Sequence, residues 1–353
     1  MFSNLIRRVG VVSTARRMSM RPSAPSMALR FNATTPNEPS AVNVEEFTLN
    51  DEVVKKHLEI AGRWRQFDEE LQTYRDARQY EQILNMASRG LSLLAEVGPM
   101  NSPVQCETNL LMESAQAHFN LGQAEPALKQ LQQARDSLKA AADCDAAKVA
   151  EIDEFIGHVL LLKGDAVAAE AQFREVLRWI DTDARKAMPM VAVAAVNQRR
   201  SVLAGVGLAL KARADVDAAT ETAGDSRALY AQALDITIDA LNLHIEANDV
   251  PAVKQSFATA VQCFVGVGDV AQALKTTQRY MSWCNRQKDY SGVVHGATMM
   301  KEVCASQKIS PTPLEENKDL AEMVAIAEQG GPKEVEAEAS VTPASGEAQP
   351  SQQ

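Results

Sequence analysis

Residues 266–271, Gly-Val-Gly-Asp-Val-Ala, spell Gly-x-Gly-x-x-Ala, the stretch of this chain whose residue types and spacing come nearest to chemistry. In a dinucleotide site such a turn cradles a pyrophosphate at a helix N-terminus. That site also needs a strand before Gly266 and, about 20 residues on, a second strand with an acidic ribose ligand. The downstream residues 275–303, KTTQRYMSWCNRQKDYSGVVHGATMMKEV, are instead helical in period and lack a β-branched run. The glycines are therefore expected to turn a corner between two helices. The other reactive side chains are scattered. His57, His118, His158, His244 and His295 each lack a second histidine at i+3 or i+4, and no Gly-x-Ser-x-Gly, Walker loop or His-Glu-x-x-His occurs. Pairs such as Glu45-Glu46, Glu151/Glu154 and Glu315-Glu316 read as helix-start or solvated-face charges. Cys106, Cys144, Cys263, Cys284 and Cys304 form no Cys-x-x-Cys pair and have no histidine at ligand spacing, which fits a reducing compartment and neither a disulfide framework nor zinc. The residues thus predict no catalytic group, no metal site and no cofactor.

Positioning elements are plainer than any site. Hydrophobic residues make up 46% of the chain and aromatics 5%, with Ala, Leu, Gln, Glu and Val dominant, a composition that favours helices over a sheet. Three stretches align at fixed offsets: AQAHFNLGQAEPALKQLQQA (115–134), GHVLLLKGDAVAAEAQFREV (157–176) and VQCFVGVGDVAQALKTTQRY (261–280). Each has a corner glycine (Gly122, Gly164, Gly268) and an alanine five residues later (Ala127, Ala169, Ala273), with helical apolar spacing on both sides. Glycine tolerates the left-handed backbone at a helix C-terminus. Asp165 and Asp269 stand where they can cap the next helix.

This recurrence resembles the tetratricopeptide repeat, in which a first helix ends at a Leu-Gly corner and a second, antiparallel helix packs a small alanine against it. Gly157 sits at the close-packing position of a first helix, and Phe173 at the large position of the second. A degenerate unit runs from Gly205 and Leu208 through SRALYAQALDI, its corner replaced by an inserted loop, RADVDAATETAGDS. A further candidate, 74–94, has Arg78 at the corner. Gly122 and Gly164 lie 42 residues apart against 34 in the standard repeat, so longer helices are expected. The resemblance covers about 51–307. It implies an all-α fold, a right-handed superhelix of antiparallel helix pairs with about a dozen helices, and a partner groove lined by the first helix of each pair. The family's groove positions fall on Asn109, Met112, Gln116 and Asn120, then Glu151, Glu154 and His158, then Gln255, Ala258 and Gln262. Members that grip a chaperone's C-terminal carboxylate use Lys, Arg and Asn there. The amide, apolar and acidic side chains here suit instead a helical or extended protein segment of neutral or basic character.

The first 35 residues hold six arginines and no acid, and Phe2, Leu5, Ile6, Val9 and Val12 share one helical face. This resembles a mitochondrial presequence. A secretory signal needs an apolar core of about seven residues or more, which Arg7, Arg8, Arg16 and Arg17 interrupt. The expected division is a presequence over 1–31, a linker over 32–50, a helical repeat domain over 51–329 and an acidic tail over 330–353 too poor in large apolar residues to order itself. Pro103 and Pro313, preceded by Ser102 and Thr312 and followed by Gln105 and Glu315, predict capping boxes and helix starts. No window reaches the roughly 18 apolar residues of a membrane span.

Charge weighs on the partner class. The 36 basic residues less those six leave 30 against 46 acidic ones, a formal charge of −16 that repels a phosphate backbone. The leading expectation is a non-enzymatic interaction scaffold in the mitochondrial matrix or on the matrix face of the inner membrane. It would be an assembly factor or accessory subunit of a respiratory complex, the ATP synthase or the mitoribosome. The alternatives are an organellar RNA-binding repeat protein, which needs a basic groove with stacking aromatics, and an enzyme on an unfamiliar helical fold.

Overall fold

The computed structural model describes residues 51–98, 102–142, 144–184, 189–220 and 226–331. The presequence and linker expected before residue 51 lie outside them, as does the tail expected over 330–353 apart from Gly330 and Gly331. Every regular element among the described residues is helical, as the composition predicts: thirteen helices. They fall into two units. The first, ending at Asp269, contains α1 (Asp51–Asp76), α2 (Tyr80–Val97), α3 (Pro103–Asn120), α4 (Ala124–Ala140), α5 (Ala146–Lys163), α6 (Ala166–Thr182), α7 (Pro189–Ala219), α8 (Ser226–Glu246) and α9 (Val250–Val267). The second, from Val270, contains α10 (Val270–Arg286), α11 (Tyr290–Gln307), the single turn α12 (Pro313–Glu316) and α13 (Lys318–Glu328).

Most corners share one backbone device. The residue closing the helix takes a left-handed conformation, and the next residue sends its N–H back five positions, to the carbonyl at the end of the preceding turn. Gly122, Gly164 and Gly268 do this with φ of 74°, 90° and 87°, the N–H of Gln123, Asp165 and Asp269 reaching His118, Leu160 and Phe264. Arg78, Asn248, Lys288 and Lys308 do the same at φ of 52–56°, so the corner does not require glycine. Asn248, Gly268, Lys288 and Lys308 recur every 20 residues, a one-helix period hidden from a search for glycine. Entry to the next helix is then capped: Asp165, Asp249 and Asp289 accept from the N–H three residues on, and Asp145 from Ala147 and Lys148. α3 and α12 start at Pro103 and Pro313. The Thr312 N–H donates to Glu315 Oε2 at 2.6 Å, whereas Ser102 makes no side-chain cap, so the box expected at α3 is not formed.

In the first unit each helix packs on its neighbour in sequence, and α3, α5, α7 and α9 also touch in succession, making one layer against a second of α2, α4, α6 and α8. Helical periodicity decides which side is buried: α4 hides Ala127, Leu131, Ala134 and Leu138, at i, i+4, i+7 and i+11. The core is correspondingly linear, with clusters around Phe67, Leu111 and Phe173 spaced along the stack. Glycines let layers close on large rings. A Cβ on Gly157 of α5 or on Gly205 of α7 would stand 2.7 Å from the Phe173 ring, which is fully buried between them. Gly90 of α2 meets Phe67 of α1 and Leu110 of α3 in the same way.

One expected boundary is corrected. The stretch RADVDAA (213–219) is not a loop but the last two turns of α7. Arg213 pairs with Glu170 of α6 and Tyr230 of α8 donates to Asp215 at 2.6 Å, so interhelical polar bonds hold those turns in register, while Lys211 meets Asp215 within α7 at 2.7 Å.

Within the second unit α10 packs on α11, and α13 returns onto α11 through Leu320, Val324 and Ala327. Tyr280 and Met281 of α10 are fully buried, and Gly296 of α11 makes room for them.

Candidate functional site

Gly266 and Gly268 have separate structural roles. A Cβ on Gly266 would lie 2.5 Å from the Tyr230 ring of α8, and Gly268 closes α9 in the left-handed conformation. The residue run before Gly266 is helical, not a strand. The Gly-x-Gly turn therefore packs a ring and turns a corner.

The groove positions fall on helices of one layer. Asn109, Met112, Gln116 and Asn120 run along α3, Glu151, Glu154 and His158 along α5, and Gln255, Ala258 and Gln262 along α9. All are half-buried except Gln262, which is exposed. α3 and α5 end at equivalent corners 42 residues apart, which puts Met112 at the register of Glu154 and Gln116 at that of His158. Some of these side chains are already engaged. Asn120 donates to the Gln116 carbonyl within α3 at 2.8 Å, Glu151 takes a 2.9 Å ion pair from Lys148, and Met112 joins the neighbouring apolar cluster. Others are not: Gln116 Nε2 is buried with no hydrogen-bond partner among the described residues.

Glu154 is the electrostatic centre of this face. Its side chain is only 15% exposed, and the nearest ion-pair partner is the imidazole of His158, one turn on, with Nε2 4.0 Å from Oε1. Burial pushes the Glu154 carboxyl up to about 7, with Glu151 adding repulsion, while the Ser201 hydroxyl and Gln198 side chain facing it from α7 oppose the shift. Burial likewise pushes His158 down to about 4, its ring lying edge-on to Phe173 at 5.0 Å between centroids. At neutral pH His158 is therefore a neutral imidazole and Glu154 is close to half-ionised. The pair cannot bond as an imidazolium–carboxylate couple. It presents instead a desolvated acceptor that a positive charge would complete.

Sequence reading missed the contribution of α7 to this face. The Phe173 ring clamped by Gly157 and Gly205 draws α5 and α7 together and brings Gln198 and Ser201 to Glu154. The polar break Asn197-Gln198-Arg199-Arg200-Ser201 in an otherwise apolar run was the signal available. That unit, assigned only from Gly205 and Leu208, had no corner glycine to extend its register to the groove positions.

Among the described residues no cluster of three or more His, Cys, Asp or Glu has metal-binding proximity, and no helix is long and apolar enough to cross a membrane. All five cysteines are free thiols, with Cys263, Cys284 and Cys304 buried and Cys144 exposed. No protein-family model matches the chain, and no curated protein is similar to it at a significant level.

Proposed function

We propose that this chain is a mitochondrial interaction protein of tetratricopeptide-like build, acting without catalysis as an assembly factor or accessory subunit of a large complex such as a respiratory enzyme, the ATP synthase or the mitoribosome. The observation that carries the reading is the half-buried polar face of α3, α5 and α9, centred on a desolvated Glu154 carboxyl that pairs with no lysine or arginine among the described residues. Its ligand is a helical or extended protein segment that offers amide-bonding groups and one lysine or arginine. Docking that cation would favour the ionised carboxylate and release a proton from Glu154, so affinity rises as the pH is raised through 7. The arginine-rich, acid-free segment at residues 1–31 supports import, and the matrix or the matrix face of the inner membrane is the proposed address.

The test is affinity purification of the tagged full-length protein from gently solubilised mitochondria, followed by mass spectrometry, for the natural chain and for Glu154→Gln and Gln262→Arg. Stoichiometric recovery of one complex's subunits, reduced in both variants, is the expected result. Recovery of the natural protein alone would remove the stable-subunit reading, and recovery unaffected by either substitution would move the binding face elsewhere.

A further inference from the structure

α10 contains no acidic residue, although acidic residues outnumber basic ones by 46 to 36 in the chain as a whole. Its cations are gathered on one side. Lys275, Arg279, Ser282 and Arg286 recur at i, i+4, i+7 and i+11 and are all exposed, and with Gln278 they line a shallow depression at the surface. The opposite side of the helix is core: Ala273, Thr276, Thr277, Tyr280, Met281, Trp283 and Cys284 are buried. None of the three cations makes an ion pair among the described residues. In the first unit, by contrast, Arg63, Arg75, Arg89 and Arg213 all meet carboxylates.

We propose that this face of α10 docks an acidic peptide segment of a partner protein, with carboxylates answering Lys275, Arg279 and Arg286. The spacing suits such a ligand. At about 1.5 Å of rise per residue, the first two cations stand about 6 Å apart along the helix and the last two about 10 Å. An extended peptide rising about 3.3 Å per residue carries alternate side chains on one face, so acids at i and i+2 match the first interval and one at i+6, about 13 Å further on, lies within reach of the flexible Arg286 side chain. Gln278 and Ser282, between the cations, can bond the peptide backbone. The same face argues against other polyanions. Tyr280 and Trp283, the aromatic rings of α10, are buried and leave no platform on which a base could stack. The strongly acidic body repels a long phosphate chain, and the face carries no apolar side chain to enter a bilayer. This surface belongs to the second unit and the Glu154 face to the first, so the two readings succeed or fail separately.

The test uses the full-length protein and a fluorescein-labelled peptide, Glu-Ala-Glu-Ala-Ala-Ala-Glu, with anisotropy read at low salt, where screening is weak. Arg279→Glu with Arg286→Glu should weaken binding roughly tenfold. Lys129→Glu with Lys139→Glu changes the net charge equally at exposed positions of α4 and should change binding by no more than about twofold. Circular dichroism of both variants controls for folding. Equal losses in the two double variants, or no peptide binding by the natural chain, would overturn the site. Tighter α10-dependent binding of poly-uridine or of phosphatidylserine vesicles would overturn the peptide assignment.

Discussion

Glutamine at position 154 isolates the cost of an ionisable group held away from water. The folded protein moves the Glu154 carboxyl from 4.5 to about 7, chiefly through burial. The folded state therefore holds the proton more tightly than the unfolded chain between those values, and the stability this gives is lost as the pH rises through that window. With the full difference realised above pH 7, the ionised carboxyl costs the fold about 3 kcal/mol. Glu154→Gln never ionises, so it should be more stable than the natural chain by up to about 3 kcal/mol near pH 8, with the gap closing towards pH 4.5. His158 acts in the opposite sense. Its proton is held less tightly in the folded state, from 6.5 down to about 4, so its contribution is lost as the pH falls through that range. Its side chain is 28% exposed, so water offsets part of that penalty and its effect is the smaller. Between pH 4.5 and 6.5 the two slopes oppose each other. The natural chain should give a flatter stability profile than either variant, with His158→Gln declining more steeply as the pH rises and Glu154→Gln declining as it falls. Urea denaturation monitored by far-UV circular dichroism across this range measures all three curves. A Glu154→Gln protein no more stable than the natural chain near pH 8, or a gap independent of pH, would refute the reasoning.

Gly157→Ala should cost about 1–3 kcal/mol from overpacking, offset by roughly 1 kcal/mol of helix propensity, because Gly205 blocks retreat of the Phe173 ring on its other side. Adding Phe173→Leu should recover part of that loss, and thermal denaturation of the double-mutant cycle reads the coupling. Lys288→Gly should stabilise the α10–α11 corner by about 0.5–1 kcal/mol, since a lysine there is held at φ 56°; an unchanged or lowered urea midpoint would count against it. Residues 1–31 fused to a fluorescent protein should be imported into isolated mitochondria only with a membrane potential, and replacing Arg7, Arg8, Arg16 and Arg17 by glutamine should abolish uptake.

The helical architecture was legible in the sequence because its signals are local. Apolar residues recurring at helical intervals, Pro103 and Pro313 at helix starts, and Gly122, Gly164 and Gly268 at corners each act through the backbone of a few residues. Where the local signal was atypical the reading still placed a corner at Arg78, but it misread residues 213–219. Arg78, Asn248 and Lys288 close corners in a conformation usually left to glycine, because the two backbone hydrogen bonds of the corner hold them there. Residues 213–219, polar enough to read as a loop, remain helical because Glu170 of α6 and Tyr230 of α8 bond their side chains.

The candidate site divides along the same line. The sequence by itself determined which side chains of α3, α5 and α9 share a helical face, since 3.6 residues per turn and a fixed corner register place Asn109, Glu154 and Gln255 without reference to any neighbour. Only the tertiary structure decided what those side chains are. Glu154 and His158 are ordinary surface residues on an isolated helix. They become a desolvated acid and a neutral imidazole when two glycines let α5 and α7 close on Phe173 and shut water out. Burial is a property of the helices that meet, and those meetings join residues too distant in the chain for any local pattern to record.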